Sequence, residues 1–180
     1  MRFRIGVILV ALMALTGLSA PLAFASSHLP SAGPDLPLTP GCTVGTTYGP
    51  WGLVPNVNPA VGVTYPGVGK QATVTSNSGS TYFKCLGGGG TYDIYNSNGN
   101  CLRMRDSNNG YAVMEESGCN ESDEAELFNA YQGSGTGLVI FQNIATLRYL
   151  GVACPGEDGW KIWGETGATG TCVNWGLGPG

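Results

Sequence analysis

Carboxylates are the most frequent side chains in this sequence that could do chemistry. Nine Asp and Glu residues lie between positions 115 and 165, and two of them could act as the acid and the nucleophile of a glycoside hydrolase. A solvated acidic surface is the competing interpretation, because nothing in the sequence marks two of them as a buried pair. The only histidine is His28, so residues 42–180 cannot form a serine–histidine or cysteine–histidine arrangement. We therefore expect no catalytic residues and keep a small glycoside hydrolase as an alternative.

Six cysteines could either bind a metal or form disulfides. They come without a Cys-x-x-Cys pair and without a histidine in residues 42–180, which disfavours zinc, and residues 121–126 lack the calcium-loop pattern. We expect no metal and no cofactor. Two cysteine pairs share a spacing of eighteen residues, which suggests the same bridge in two related units, and the third pair follows by elimination. The predicted disulfides are Cys101–Cys119, Cys154–Cys172 and Cys42–Cys85.

The N-terminus has the features of an export signal. A short basic end precedes an apolar run over residues 5–18, and Ala23-Phe24-Ala25 has the small-x-small pattern of a cleavage site. We therefore predict a signal peptide at residues 1–25 and a secreted, extracellular protein, in which disulfides are common. Residues 26–41 are rich in Pro, Ser and Gly and are predicted to form a disordered linker or a pro-segment. Residues 42–180 then form a single β domain.

The chain is acidic. Eight Lys and Arg against twelve Asp and Glu give a net charge of −4, and loss of Arg2 and Arg4 with the signal peptide would leave −6. A protein with so few cations has no basic surface for nucleic acid and no attraction to an anionic membrane. We expect neither as a partner.

Residues 92–128 carry the clearest secondary-structure pattern. Short alternating apolar and polar runs are separated by Asn-, Gly- and Ser-rich pieces at residues 96–100 and 106–110, which is typical of strands joined by tight turns. Asn-Gly occurs in both pieces and favours hairpins, because both residues tolerate positive φ. The predicted strands are Tyr92–Tyr95, Cys101–Met104 and Tyr111–Met114. The pattern indicates an all-β fold.

An internal repeat accompanies these strands. Leu102, Tyr111 and Phe128 stand 47 to 49 residues before apolar residues of the same kind, which are Leu150, Trp160 and Trp175. This spacing predicts two readable repeats, at about residues 92–134 and 135–177. Residues 43–90 have the length of a third copy with little matching sequence.

Short motifs recur in the two readable repeats. Gly99-Asn100-Cys101-Leu102 is followed by Val113, by Cys119-Asn120 and by the closing aromatic Phe128, and Tyr149-Leu150-Gly151-Val152 is followed by Trp175. Over residues 92–177 these motifs resemble, in degenerate form, the repeats of ricin-type β-trefoil lectins, which open with Gly-Lys-Cys-Leu. The resemblance implies a disulfide-stapled β-trefoil-like fold, a six-stranded barrel capped by three hairpins. Another secreted fold, such as a β-sandwich, is the alternative.

The resemblance also locates candidate sugar sites. A working lectin repeat has an Asp after Cys-Leu, a stacking aromatic and an Asn near the closing aromatic; the repeat at 92–134 has Arg103, Ser117 and Ala125 there. Asp106 lies close to the Asp position but is displaced from it. This repeat therefore departs from the family at all three positions.

The repeat at 135–177 keeps one of these features. Trp163 precedes Trp175 by twelve residues, a spacing similar to the family's, while Gly151 stands at the Asp position. The resemblance implies Trp163 as a stacking platform, with Glu157 or Asp158 accepting hydrogen bonds from hydroxyls. A core or rim role for Trp163 is the alternative. The predicted ligand-binding residues are Trp163, Glu157, Asp158 and Asp106.

These observations lead to two main functional hypotheses. The first is a secreted, non-catalytic, lectin-like protein whose partner is a glycan or a cell-wall polysaccharide. The second is a secreted interaction or inhibitor module that binds another secreted protein, because the sugar-binding positions are eroded in both readable repeats.

Overall fold

The computed structural model describes residues 36–38, 41–154, 158–168 and 171–179. Within these ranges the chain is all-β, with one short 3₁₀ turn at Thr171–Val173 and no α-helix. No helix in these ranges is long and apolar enough to span a membrane. The strands are β1 (Thr47–Pro55), β2 (Gly62–Thr64), β3 (Thr73–Thr75), β4 (Thr81–Gly87), β5 (Thr91–Asn96), β6 (Cys101–Ser107), β7 (Gly110–Glu116), β8 (Leu127–Gln132), β9 (Leu138–Asn143), β10 (Tyr149–Val152), β11 (Ile162–Glu165) and β12 (Trp175–Pro179).

The three strands predicted from alternation are present as β5, β6 and β7. Strands β6 and β7 pair in an antiparallel hairpin that closes at Ser107 and Gly110. Gly110 has φ of 116°, a value that favours glycine and fits the turn signal in the sequence. On β6, Leu102 and Met104 are buried while Arg105 is exposed, which is the burial expected for a strand with one face against a core.

Six strands close into a ring. Strand β1 pairs with β4, β4 with β5, β5 with β8, β8 with β9, β9 with β12, and β12 returns to β1. A closed ring leaves no free sheet edge among its members. The remaining strands form three antiparallel hairpins, β2–β3, β6–β7 and β10–β11.

The hairpins also contact one another. Gln71 bridges to Met114, Thr73 bridges to Lys161, and Trp163 pairs with Ala112. Because β11 pairs with β7, a second closed path of nine strands runs through two of the hairpins. The ring and its three hairpins agree with the trefoil-like expectation and differ from a sandwich of two open sheets.

Aromatic residues from several strands fill the ring. Phe83 and Phe141 stack with centroids 5.5 Å apart, and Phe128 and Trp175, the predicted closing aromatics, are fully buried. The Trp175 indole N–H donates to the carbonyl of Leu150 at 2.8 Å, so this large side chain is buried with its polar group satisfied.

Three disulfides join the cysteines that the spacing predicts. Their Cα atoms are 6.1 Å apart in Cys42–Cys85, 5.2 Å in Cys101–Cys119 and 5.6 Å in Cys154–Cys172. The first bridge ties the segment before β1 to β4. Cys101–Cys119 links β6 to the segment after β7. Cys154–Cys172 links the residues after β10 to the 3₁₀ turn that follows β11.

The linker prediction does not hold for residues 36–38. Leu36 is 3% exposed and belongs to the apolar core, and the Tyr92 hydroxyl donates to the carbonyl of Pro37 at 2.6 Å. Two leucines on either side of a proline make an apolar, extended tripeptide that can bury its side chains, which the surrounding Pro-, Ser- and Gly-rich composition concealed.

Candidate functional site

Trp163 lies on β11, between the strands β10 and β7. Its partners across the sheet are Gly151 on β10 and Ala112 on β7. Neighbouring Ile162 is fully buried, whereas Trp163 is half-buried, so strand alternation places the indole on the face directed away from the core. Because both partners are small, there is room for the indole beside them. Trp163 is therefore neither fully buried in the core nor fully exposed.

Glu165 shares that face, two residues along the same strand. A Cβ atom added at Gly151 would lie 2.5 Å from the Cγ of Glu165 and 3.2 Å from Cγ1 of Val173. Glu165 thus occupies the space beside position 151, where the resembling lectin repeats have an Asp. The absence of a side chain at Gly151 allows the Glu165 side chain to pack there.

A cleft of about 340 Å³ lies beside Glu165. Its lining includes Val152, Glu165, Thr166, Gly167, Cys172 and Val173. The Cys154–Cys172 disulfide fixes one wall to the end of β10. The result is a small, open concavity whose described lining includes one acidic residue, Glu165, and does not include Trp163.

Sequence analysis did not assign Glu165 to the site. The available signal was its position two residues after Trp163, because residues i and i+2 of a strand share a face. In the structure, Glu165 stands opposite Tyr149 as Glu116 stands opposite Cys101.

The other predicted ligand-binding residues are not brought to Trp163. Asp158 is exposed and accepts a hydrogen bond from the backbone N–H of Ser76 at 2.7 Å, and it does not line the cleft. Asp106 is exposed and pairs with Tyr111, which lies one position from Ala112 and so on the opposite face from Trp163. Glu157 lies outside the described residues.

The β6–β7 hairpin shows what the equivalent positions hold in the preceding repeat. By register, Arg103, Met114 and Glu116 correspond to Gly151, Trp163 and Glu165. One guanidinium nitrogen of Arg103 is 2.9 Å from Asp123 and another is 3.8 Å from Glu126, while Arg105 lies 2.7 Å from Glu116. Ion pairs therefore occupy the face that carries Trp163 and Glu165 on β10–β11.

Buried carboxylates also occur elsewhere in the described residues. Glu115 is hydrogen-bonded within the fold, whereas Asp93 has no hydrogen-bond partner there. Glu115 is 2% exposed and accepts hydrogen bonds from the Gly67 backbone at 2.6 Å and from the side-chain amides of Asn96 and Asn100 at 2.9 and 2.7 Å. Glu115 thereby ties the loop after β2 to the β5–β6 turn. Such a fully bonded carboxylate stabilises the fold and is not available to a ligand.

Asp93 is the unusual member of this group. It is fully buried, and neither of its carboxylate oxygens has a hydrogen-bond partner among the described residues. Burial, followed by the nearby Glu126 and Glu121, raises its pKa to about 6, against the opposing effect of Lys84. Burial likewise raises the pKa of Glu126. The carboxylate of Asp93 approaches the sulfurs of Cys101 and Cys119 within 4.8 Å, but those sulfurs are joined in a disulfide.

Comparison with known proteins yields structural similarity only. No protein-family model and no curated protein sequence matches the chain. The designed 3-fold symmetric protein ThreeFoil is similar with a TM-score of 0.61 and 17% identity, over 71% of this chain and 96% of that one. A Polyporus squamosus lectin, solved with a sialylated influenza-binding epitope, is similar with a TM-score of 0.55 and 11% identity, over 76% of this chain and 50% of that one.

A GH43 β-1,3-galactosidase is also similar, with a TM-score of 0.54 and 14% identity, over 78% of this chain and 28% of that one. At these identities the similarities show a shared fold and carry no activity with them. They agree with the trefoil-like arrangement, and membership of the ricin-type family stays a prediction.

Proposed function

We propose that this chain is a secreted, non-catalytic carbohydrate-binding protein with a β-trefoil fold, and that it binds sugar at the β10–β11 hairpin. The observation that carries the proposal is that half-buried Trp163 shares a strand face with Glu165, and that Glu165 lines a cleft which Trp163 itself does not line. An aromatic face packs against the apolar face of a pyranose ring, and a carboxylate accepts hydrogen bonds from its hydroxyls.

Glu165 replaces the carboxylates that the sequence suggested. In a lectin repeat of the resembling family the carboxylate follows Cys-Leu; here that position is Gly151, and Glu165 reaches the same space from the neighbouring strand. We therefore assign hydroxyl binding to Glu165, with the backbone groups of Thr166 and Gly167 at the edge of the cleft. The open shape of the cleft favours one terminal sugar or a short stretch of polysaccharide.

The test is a glycan array together with a pull-down on insoluble polysaccharides, using the oxidised chain without residues 1–25. We expect retention on a defined glycan, and we expect Trp163→Ala to weaken it by at least ten-fold, as for an aromatic residue at the centre of a binding site. Met114→Ala, at the equivalent position of the β6–β7 hairpin, is the matched control and should bind normally. Full affinity of a folded Trp163→Ala protein would remove Trp163 from the site.

A protein-interaction module is the second candidate. It is favoured by the β6–β7 hairpin, where Arg103 has replaced the family's sugar-binding carboxylate and pairs with Asp123 and Glu126. A well-folded sample that binds no glycan, and that retains one defined protein from the culture medium, would support this candidate over the first. We do not propose hydrolysis, because Glu165 is the single carboxylate among the residues described around the cleft.

A further inference from the structure

The end of the barrel carries a short segment from outside the strands. Leu36 is 3% exposed, Leu38 packs against the apolar core, and Pro37 lies between them. Proline has no N–H to satisfy, and the carbonyl of Pro37 accepts the 2.6 Å hydrogen bond from the Tyr92 hydroxyl. Tyr92 itself is fully buried. The tripeptide is thus held by two apolar side chains and one hydrogen bond to its proline carbonyl.

The surface that receives the tripeptide continues beyond it. A cleft of about 800 Å³ runs between residues 36–38 and the β8–β9 turn. Its apolar wall is formed by Leu138, Val139 and Leu177, together with Leu36 and Leu38. Residues 36–38 therefore cover only part of an apolar groove at this end of the barrel.

The opposite wall of the groove is fixed before any ligand arrives. The side-chain amide of Gln132 donates to the carbonyls of Gly135 and Leu138 at 3.0 and 3.1 Å. The side-chain oxygen of Asn174 accepts from the backbone N–H of Ser134 at 2.7 Å. These bonds hold the Gly-rich turn at residues 133–137, and a preformed wall lowers the entropic cost of binding.

We propose that the apolar surface under Leu36-Pro37-Leu38, together with the open groove beside it, is a binding site for an extended apolar–Pro–apolar peptide, and that the chain's own tripeptide covers part of this site. The contacts of the tripeptide indicate which peptides would bind. Leu36 and Leu38 fill apolar positions, and the Tyr92 hydroxyl donates a hydrogen bond to the carbonyl of Pro37. Preformed, proline-containing segments are recognised in a similar way elsewhere. A partner protein with such a segment would bind by displacing residues 36–38. This site lies apart from the β10–β11 hairpin and does not depend on sugar binding there.

The probe is a fluorescein-labelled synthetic peptide with the sequence DLPLTP, which copies residues 35–40. In the intact chain, Leu36→Asp with Leu38→Asp should release the internal segment, and the peptide should then bind at least ten-fold more tightly than to the unchanged protein. Adding Tyr92→Phe should weaken that binding about five-fold, the usual effect of losing one neutral hydrogen bond. The control peptide DSPSTP should not bind.

Two results would overturn the proposal. One is a released variant that keeps its β-sheet circular dichroism and thermal transition but does not bind DLPLTP. The other is equal binding of DLPLTP and DSPSTP. If the released variant does not fold, excess DLPLTP with a photoreactive leucine is added to the unchanged chain; crosslinks should map to Leu138 or Leu177, and their absence from β9 and β12 rejects the groove.

Discussion

The β10–β11 and β6–β7 hairpins occupy equivalent positions in the fold but carry different side chains on their outer faces. On β10–β11, Gly151 faces Trp163 and a cleft lies beside Glu165. On β6–β7, the position of Gly151 is taken by Arg103, whose guanidinium group is paired with Asp123 and Glu126. The difference shows that the scaffold keeps its strand pairing while the residues on the outer face change. We call β10–β11, which has the cleft, the open hairpin and β6–β7 the closed hairpin.

The comparison also explains how the closed hairpin remains stable. Glu126 is 3% exposed and accepts a 2.7 Å hydrogen bond from the Asn120 backbone as well as facing Arg103. A buried carboxylate without these partners would be costly. The residues that occupy the outer face of β6–β7 therefore also support the 120–126 loop.

The largest effect is expected when Gly151 of β10–β11 is replaced by arginine, the residue at the equivalent position of β6–β7. Gly151→Arg places a side chain where even a Cβ atom meets Glu165 and Val173, so we expect glycan binding to disappear. Overpacking at this site should also lower the free energy of unfolding by about 2 kcal/mol. Titration calorimetry and denaturant unfolding measure the two effects, and glycan binding at wild-type affinity by Gly151→Arg would show that the cleft is not the site.

The next effect concerns the carboxylate of the open hairpin. Glu165→Gln keeps the shape of the side chain but removes its charge, and a hydrogen bond to a charged group is worth about 1.5 kcal/mol or more, which corresponds to roughly ten-fold in affinity. Glu116→Gln, at the equivalent position of the closed hairpin, should leave glycan affinity unchanged. Equal losses in both variants would point to a general effect of charge instead of a contact with sugar.

A smaller effect is expected from opening the closed hairpin. Arg103→Ala leaves Asp123 and Glu126 facing each other without their cation, so we expect the free energy of unfolding to fall by about 1 kcal/mol, discounted because the Arg103 side chain is partly exposed. Glycan affinity should not change. An Arg103→Ala protein as stable as wild type would show that the ion pairs are not part of the loop's support.

A separate effect depends on pH and concerns stability, not the comparison of the two hairpins. Because the pKa of Asp93 is raised to about 6 from 3.8, the folded protein holds a proton there that the unfolded chain has released between about pH 4 and pH 6. Stability should therefore be lost as pH rises through this window. Asp93→Asn should flatten that decline and be the more stable protein at pH 7. Asp158→Asn, at an exposed acid, is the control, and an unchanged pH profile in Asp93→Asn would contradict the assignment.

Local patterns were sufficient to predict three of the strands and the disulfides. Strands β5 to β7 follow alternation that is visible within a few residues, and the cysteine spacing led to the pairs that the structure contains. Closure of the ring required the family resemblance, because pairs such as β1 with β12 join residues more than a hundred positions apart.

The composition of the site could be predicted only in part. Trp163 is a candidate because of its spacing, but the position of Glu165 depends on the register between β10 and β11 and on the missing side chain at Gly151. The burial of Asp93 could not be predicted from the sequence either. Asp93 alternates onto the outer face of β5, where it lies close to the sulfurs of the Cys101–Cys119 bridge. Neither relation is encoded in neighbouring residues.

The central claim is that the open hairpin binds sugar and the closed hairpin does not. The most direct test is to titrate the ¹⁵N-labelled, oxidised chain with the glycan selected on the array and to map the amide shifts. We expect shifts at residues 150–152, 163–167 and 172–173, the Trp163 indole signal among them, and unchanged signals at residues 101–107 and 110–116. Shifts centred on β6–β7, or saturating glycan with no shift on β10–β11, would contradict the account.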